Sequence, residues 1–481
     1  MTETTYYRSF IGGRWTDGSG GERIEVLDPA DNKAWAEVPA CNASDCEEAL
    51  AAAEAAHPKW AALTTMQRAA YLEALNERLE AEREHFAKLL VREQGKTLRE
   101  ALAEVDDTIG YMRYAAQSAR WIRGDIMPAD GPGERLMTFK VPYGVCVAIC
   151  AYNYPLALIG RKVGPALVTG NTIVIKPHEA TPVTAAEFCR LVADVGIPAG
   201  VINMVTGDGA VTGAALVSSR RTRLITLTGS IAAGQRVARL ASDNLAALCL
   251  ELGGKAPFIV MEDADVEAAA AAAAQARFAN CGQVCICSEA VLVHRSIAAR
   301  FTERLVELAS AIAIGHPMSN PGMGPLATRQ AQTRIRSLVT ESIEMGAEIL
   351  VGDNWSAPAG LEAGNWMAPT VLSCPNGNLP VFRDEVFGPV LPILEIDDAE
   401  QAIQLANARD DGLSAYVWTR DNSMVHHFID RLETGTVFVN KGISGSFHGY
   451  HNGHKRSGIG GEDGPYGLEN YLQKRSVYLA Y

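Results

Sequence analysis

Between residues 145 and 251 short apolar runs alternate with helical periods, and this alternation constrains the fold more than any other feature. The runs 145–151, 172–176, 201–205, 223–227 and 247–251 read as strands, and the continuous apolar character of the first is that of a strand covered on both faces. The intervening segments 155–168, 183–195, 210–218 and 231–242 read as helices. Strand–helix repeats at this spacing predict a Rossmann-like α/β fold, a parallel sheet with helices on both faces. Ligands of such sheets bind beyond the carboxyl ends of the strands. The residues just after each strand are therefore the first candidates for function.

Those residues are Tyr152-Asn153-Tyr154-Pro155, Lys176-Pro177-His178-Glu179, Gly207-Asp208-Gly209, Thr228-Gly229-Ser230 and Glu251-Leu252-Gly253-Gly254-Lys255. Ser230 opens a helix whose first free N–H groups suit a phosphate. Taken singly these are weak signals. The glycines miss the commoner dinucleotide spacing, Lys176 with Glu179 fits a solvated surface pair, and Glu251 fits a cap or an ion pair. Glu251 nevertheless closes an apolar run and precedes two glycines that free the backbone to place it, as a general base requires. Together, the strand ends of one sheet all present groups suited to a dinucleotide or an oxyanion.

A second stretch carries the chemistry. Residues 278–289 read F-A-N-C-G-Q-V-C-I-C-S-E, and an Ala-rich helical pattern over 266–279 runs straight into Gly282-Gln283. Glycine at a helix end permits a sharp turn, and such a turn holds one side chain out into a cleft. Cys285 is the candidate, as a covalent nucleophile. At this level the alternatives stay open: Cys281, Cys285 and Cys287 also fit buried small hydrophobes, a zinc site or, for Cys281 with Cys285, a redox dithiol. Their spacing is not the usual C-x2-C, and no metal is expected.

A chain of 481 residues is too long for one core. Its net charge of -13 argues against nucleic acid. The 10 cysteines are scattered, and Met1–Thr5 carries no export signal, so reduced thiols and a cytoplasmic location are expected. No uncharged apolar run reaches membrane-span length, and no membrane partner is expected. Residues 6–40 read as short strands. Residues 43–123 read as helices beginning at a Ser44 cap, with Leu72, Leu75, Leu79, Phe86 and Leu90 at helical intervals, scaffolding without chemistry. Residues 136–142 alternate like an exposed strand.

The set Y-N-Y-P, I-K-P-H-E, T-G-S, E-L-G-G-K and G-Q-V-C, with Asp384-Glu385-Val386-Phe387-Gly388-Pro389 and Lys455-Arg456-Ser457-Gly458-Ile459-Gly460, resembles the aldehyde dehydrogenase superfamily over nearly the whole chain. The 34 residues from Glu251 to Cys285 match its interval. The resemblance implies that Cys285 attacks an aldehyde to form a hemithioacetal and then a thioester. It implies an oxyanion site from the Asn153 amide and the Cys285 N–H, and Glu251 as the base that activates water. Lys162 and Glu462 match positions that assist proton movement. NAD is the implied cofactor: Lys176 and Glu179 at the adenosine ribose, Gly209 at the adenine, Gly229 and Ser230 at a phosphate, Glu385 and Phe387 at the nicotinamide riboside. A carboxylate at Glu179 favours NAD over NADP.

Departures from the family pattern narrow the substrate. Ala151-Tyr152 replaces Pro-Trp, and Ala290 stands where many relatives have Arg. Arg161 and His451 stand at substrate-lining positions beside Tyr154, and buried charged donors need acceptors. These features resemble the lactaldehyde/glycolaldehyde subgroup, although Gly445 replaces an acidic residue. The expectation is a small hydroxyaldehyde, with semialdehydes or aromatic aldehydes as alternatives and a non-catalytic relative as the competing class. Glu251 argues against acyl transfer to coenzyme A. The expected layout is an NAD-binding domain over 1–123 and 143–254, a catalytic domain over 255–457, and an oligomerisation arm and C-terminal segment over 124–142 and 458–481, in which the strand near 136–142 and residues 476–481 resemble the arm through which these enzymes form a homodimer or homotetramer.

Overall fold

The computed structural model describes residues 4–353 and 355–481. Its first domain is built on an eight-stranded sheet, in the order Gly458–Ile459, Ala247–Leu252, Leu224–Gly229, Val145–Ile149, Thr172–Lys176, Ile202–Met204, Ser9–Ile11 and Arg14–Thr16. The strands from Ala247–Leu252 to Ile202–Met204 are all parallel, as the alternation predicts. Successive strands run outward from Val145–Ile149 to Ile202–Met204, and the chain then returns to lay Leu224–Gly229 on the other side of Val145–Ile149. That reversal opens a crevice beyond the carboxyl ends of Val145–Ile149 and Leu224–Gly229.

Side-chain alternation explains why helices cover both faces. Cys146 and Ala148 pack into one core with the helices Thr65–Ala81, Leu98–Gln117 and Pro155–Thr169. Val145 and Val147 face the opposite way, onto Ala49, Leu50 and Ala53 of the helix Ala43–Ala61. That helix is capped by Asn42, not Ser44: the Asn42 side chain accepts from the backbone N–H of Ser44 and Asp45, and the Asp45 carboxylate accepts from the Asn42 N–H in return.

The second domain holds a seven-stranded sheet, ordered Glu348–Val351, Thr370–Ser373, Val390–Ile396, Ala290–His294, Pro257–Val260, Ser414–Trp418 and Thr436–Val439, and parallel except at Glu348–Val351. The Ala-rich helix Val266–Phe278 crosses from Pro257–Val260 to Ala290–His294, with Ala269, Ala270, Ala273 and Ala276 fully buried along its length. Its C-terminus delivers the Cys285 turn.

A third, small antiparallel sheet pairs Asp125–Met127, Glu134–Pro142 and Leu472–Ala480, with Leu472 opposite Pro142 and Ala480 opposite Glu134. This sheet joins residues of 124–142 to the C-terminal strand 472–480. Gly458–Ile459 joins the first sheet beside Leu250 and Glu251, and Leu468 and Tyr471 lie in the first domain's core. No helix of the described residues is long and apolar enough to cross a membrane.

Candidate active site

The turn after Val266–Phe278 passes through three successive left-handed residues, Asn280, Cys281 and Gly282, at φ 48°, 55° and 73°. A Cβ on Gly282 would collide with the carbonyl of Gly388, so close backbone approach as well as φ requires glycine here. Cys281 and Cys287 are buried, whereas Cys285 is half-buried and opens onto the interior space. All ten cysteines are free thiols, and Cys285 alone among them is not buried.

Two cavities meet at Cys285. One, of about 490 Å³, extends to Gly229, Ser230, Glu385 and Phe387. The other, of about 540 Å³, extends to Tyr154, Arg161, Lys441, His451 and Asp463. Asn153, Thr228, Glu251 and Cys285 line both. A molecule in one cavity therefore meets a molecule in the other at the sulfur.

Asn153 sits just past the strand Val145–Ile149. Its Nδ2 donates to the Gln283 carbonyl at 3.0 Å, and its Oδ1 is buried without a partner. One amide hydrogen is thus left for the cavity. Among the described residues the backbone N–H of Cys285 meets no acceptor. The Asn153 carbonyl accepts from Lys96 Nζ and Asn280 Nδ2, both at 2.9 Å. Lys96 pairs with Glu104, which also accepts from Leu156 N and Ala157 N at the start of the helix Pro155–Thr169. Glu100 accepts from Asn280 N at 2.7 Å. The helical segment 43–123 is therefore not scaffolding alone: Lys96, Glu100 and Glu104 fix the two turns that carry Asn153 and Cys285. Charged residues on an amphipathic helix give no sign of this before the fold brings them inward.

Glu251 is 1% exposed, and its Oε1 meets His451 Nε2 at 3.0 Å. The Cys285 sulfur lies within 4.8 Å of a Glu251 carboxylate oxygen. The surroundings of Glu251 are thus polar on two sides. Burial pushes the Cys285 thiol well above its ordinary value, the Glu251 charge adds to the rise, and Arg161 opposes it. The resting thiol is protonated, and a proton acceptor stands beside it. His451 reaches Glu251 from the short ribbon His451–Asn452, which pairs with Gly461–Glu462.

Arg161 projects from the helix Pro155–Thr169. It lines the larger cavity, but its acceptors belong to the protein: Nε meets Asp463 Oδ1 at 3.0 Å and Glu462 at 3.4 Å, and Nη2 also bonds Asp463. Its charge does not call for an acceptor on the substrate. Lys162 bonds Glu462 and donates to Thr228 Oγ1 at 2.7 Å. Burial raises Glu462, but Lys162 and Arg161 outweigh it and hold the carboxyl at about 2. The two form a buried ion pair beside Thr228, which lines both cavities.

On the dinucleotide side, Lys176 ends its strand and meets Glu179 at 3.1 Å. Burial opposes ionisation of Glu179, but His178 and Lys176 hold it below the usual carboxylate range. Ser230 caps the helix Ile231–Leu240 through Ala233 N at 3.2 Å. Gly209 begins the turn Gly209–Gly213 with open space around it, and Arg236 reaches the neighbouring Ala210 carbonyl at 3.5 Å. Lys176, Glu179 and Gly209 share the sheet edge but line neither cavity. Burial raises Glu385 to about 8, and Gly253 leaves room for its carboxylate. Phe387, at φ 50°, stands edge-on to Tyr152 with centroids 6.0 Å apart. Glu289, which the sequence does not single out, binds Val386 N and Phe387 N from behind. Ala290 begins a buried strand; nothing in the structure explains its replacing Arg.

A doubly wound sheet with a cavity at its switch point, facing a second α/β domain, defines the class: an α/β fold that takes a ligand beyond the carboxyl ends of its strands. The chain belongs to the aldehyde dehydrogenase family, whose model matches residues 15–477. It is 42% identical to 3,6-anhydro-alpha-L-galactose dehydrogenase of Vibrio sp. (strain EJY3), over 98% of this chain and 99% of that protein. It is 38% identical to lactaldehyde dehydrogenase of Escherichia coli (strain K12), over 100% of both. D-glyceraldehyde dehydrogenase (NADP(+)) of Picrophilus torridus is 34% identical over 98% of this chain and 96% of its own. A solved 3,6-anhydro-L-galactose dehydrogenase in complex with NAP, 42% identical, superposes with a TM-score of 0.97 over 99% of this chain and 100% of its own.

Proposed function

We propose that the chain is an NAD-dependent, hydrolytic aldehyde dehydrogenase acting on a small neutral hydroxyaldehyde such as lactaldehyde or glycolaldehyde. The observation that carries this reading is the meeting of two cavities at Cys285, with Asn153 and Glu251 lining both. Glu251 takes the thiol proton as Cys285 Sγ attacks the carbonyl carbon. The oxygen that becomes negative faces the Asn153 amide and the free Cys285 N–H, donors fixed before the reaction. A nicotinamide held in the smaller cavity would supply the hydride acceptor, while Cys285 carries the substrate, first as a hemithioacetal and then as a thioester. Glu251 releases that proton to solvent, then accepts one from the water that attacks the thioester; the acid leaves, and Glu251 returns this second proton to the Cys285 thiolate. Lys162 with Glu462 holds the local field.

The residues that would hold the cofactor are Lys176, Glu179, Gly209, Gly229, Ser230, Glu385 and Phe387. The fit rests on the cavity of about 490 Å³ and on the helix N-terminus at Ser230. The ionised Glu179 accepts from ribose hydroxyls and repels a 2′-phosphate, which supports NAD despite an NADP(+)-named relative.

The three relatives are named for lactaldehyde, anhydrogalactose and glyceraldehyde, all uncharged and hydroxylated. His451 and Tyr154 offer polar groups to such hydroxyls, while Arg161 is already neutralised by Asp463. One observation favours a semialdehyde instead: Lys441 lines the same cavity with no ion-pair partner among the described residues. The exposed Ile126 and Tyr478 of the small sheet support a homodimer or homotetramer formed through it, and ten free thiols support a reducing cytoplasm. Initial rates with lactaldehyde, glycolaldehyde, succinate semialdehyde and benzaldehyde, with NAD and NADP at matched concentrations, test the reading. Lactaldehyde or glycolaldehyde with NAD should give the highest kcat/KM. A lead for succinate semialdehyde that Lys441→Ala removes would transfer the assignment to the second reading, and faster rates with NADP would overturn the role of Glu179.

A further inference from the structure

We propose that Glu251, Cys285 and His451 form a binding site for a soft divalent cation, with Zn²⁺ the best match, and that its occupancy reversibly shuts the enzyme. A carboxylate oxygen of Glu251, the Cys285 sulfur and a ring nitrogen of His451 all lie within 4.8 Å of one another. Thiolate, imidazole and carboxylate are the donors zinc prefers. Ligand bonds of about 2.0–2.3 Å in a tetrahedron put donor atoms roughly 3.3–3.8 Å apart. His451 Nε2 and Glu251 Oε1 are already at 3.0 Å, so the widest pair needs to close by only about an ångström.

The three ligands come from the strand Ala247–Leu252, the turn after Val266–Phe278 and the ribbon His451–Asn452. No spacing along the chain exposes such a site, and the expectation of no metal considered local spacings only. Three protein ligands leave one position for water or a small anion, facing the cavity of about 540 Å³. The cavity wall carries the carboxylates of Asp107, Glu251 and Asp463 against Arg161 and Lys441, so a cation meets no net positive charge on entry. Binding exchanges one proton for the metal: the thiol proton leaves Cys285 for solvent, three protein–metal bonds form, and nothing is oxidised or reduced. One ion then ties up the nucleophile, the base and its hydrogen-bond partner together. Ligation itself does not depend on the proposed aldehyde chemistry; only the loss of activity rests on that reading.

Co²⁺ titrated into the cofactor-free protein, kept reduced with a phosphine, provides the optical probe. The other nine cysteines are buried, so a thiolate-to-cobalt absorption reports on Cys285. The expected result is a near-ultraviolet charge-transfer band and tetrahedral visible bands saturating at one equivalent, both displaced by Zn²⁺. Cys285→Ala should abolish the charge-transfer band. His451→Gln should weaken binding at least about tenfold, with circular dichroism reporting that each variant is folded. Aldehyde-dependent NADH formation should fall in step with zinc occupancy and return with EDTA. No charge-transfer band at millimolar Co²⁺, a band that survives Cys285→Ala, or unchanged affinity in His451→Gln would each overturn the site. If the band appears as expected while aldehyde oxidation proves independent of Cys285, the metal site stands and the proposed function falls.

Discussion

Glu289→Gln tests the frame behind the nucleophile. Each oxygen of the buried Glu289 carboxylate takes one cation and one backbone amide. Oε2 accepts from Lys255 Nζ at 2.8 Å and Val386 N at 2.9 Å, and Oε1 from Arg277 Nη1 at 2.6 Å and Phe387 N at 3.0 Å. Glutamine keeps the shape but turns one of these acceptors into a donor. Whichever way the amide is flipped, one cation and one backbone N–H lose their partner. Breaking a buried ion pair costs about 3–5 kcal/mol, and a stranded buried N–H about 1–3 kcal/mol. The two losses overlap at one atom, so the expected destabilisation of the second domain is about 4 kcal/mol, roughly a thousandfold. A chain of this size does not unfold in two states. The readout is therefore hydrogen exchange of the Ala290–His294 amides as urea is raised, with the exposed Glu395→Gln on the same sheet as control. A difference below about 1 kcal/mol would mean the four bonds are replaceable by solvent, and the reasoning would be wrong.

Gly282→Ala should cost at least about 1–2 kcal/mol from the left-handed backbone alone, with a further penalty from the collision with the Gly388 carbonyl; thermal melts and kcat should both fall. Arg161→Leu strands Asp463, while Glu462 keeps Lys162, and should destabilise by about 3–5 kcal/mol without changing which aldehyde is preferred, whereas Arg161→Leu with Asp463→Leu should recover much of that stability. An altered preference with unchanged stability would restore Arg161 as a substrate ligand. Stability should depend on pH in two opposite senses. Burial raises Glu289, but Arg277 and Lys255 outweigh it and hold it at about 2, where Glu462 is also held. This support is full above the unfolded carboxyl value near ~4.3 and is lost as pH falls towards 2. Burial lifts Glu385 and Glu93 to about 8, so the folded state keeps protons the unfolded chain releases, and stability declines as pH rises from ~4.3 to 8. Glu385→Gln should flatten that alkaline decline, as urea midpoints at pH 5 to 8 will report; an unchanged slope would place the cause elsewhere.

The elements between 145 and 251 were legible because strand and helix periods are local properties. Observed strands such as Thr172–Lys176 fall on the expected residues. Cys285, Asn153 and Glu251 were legible for a related reason: each lies at or just past the end of a regular element, Asn153 and Glu251 at strand ends of the first sheet and Cys285 in the turn after the Val266–Phe278 helix of the second domain. What escaped depends on pairs far apart in sequence. His451 reaches Glu251 across 200 residues and Arg161 reaches Asp463 across 302, and no pattern of spacing announces which buried charge satisfies which. An Arg read alone looks like a substrate ligand; with Asp463 in place it is a structural ion pair. Likewise Lys96, in the connection between two helices, and Glu104, on the second of them, look solvent-facing until the fold buries them as a pair beneath the Asn153 turn.

The most direct measurement is rapid acid quench of the enzyme during turnover with glycolaldehyde and NAD, followed by peptide mapping by mass spectrometry. The expected result is an acyl group on the peptide carrying Cys285, absent from Cys285→Ala, which should still bind NAD yet form no NADH. An acyl group on another residue, or undiminished NADH formation by Cys285→Ala, would contradict the account.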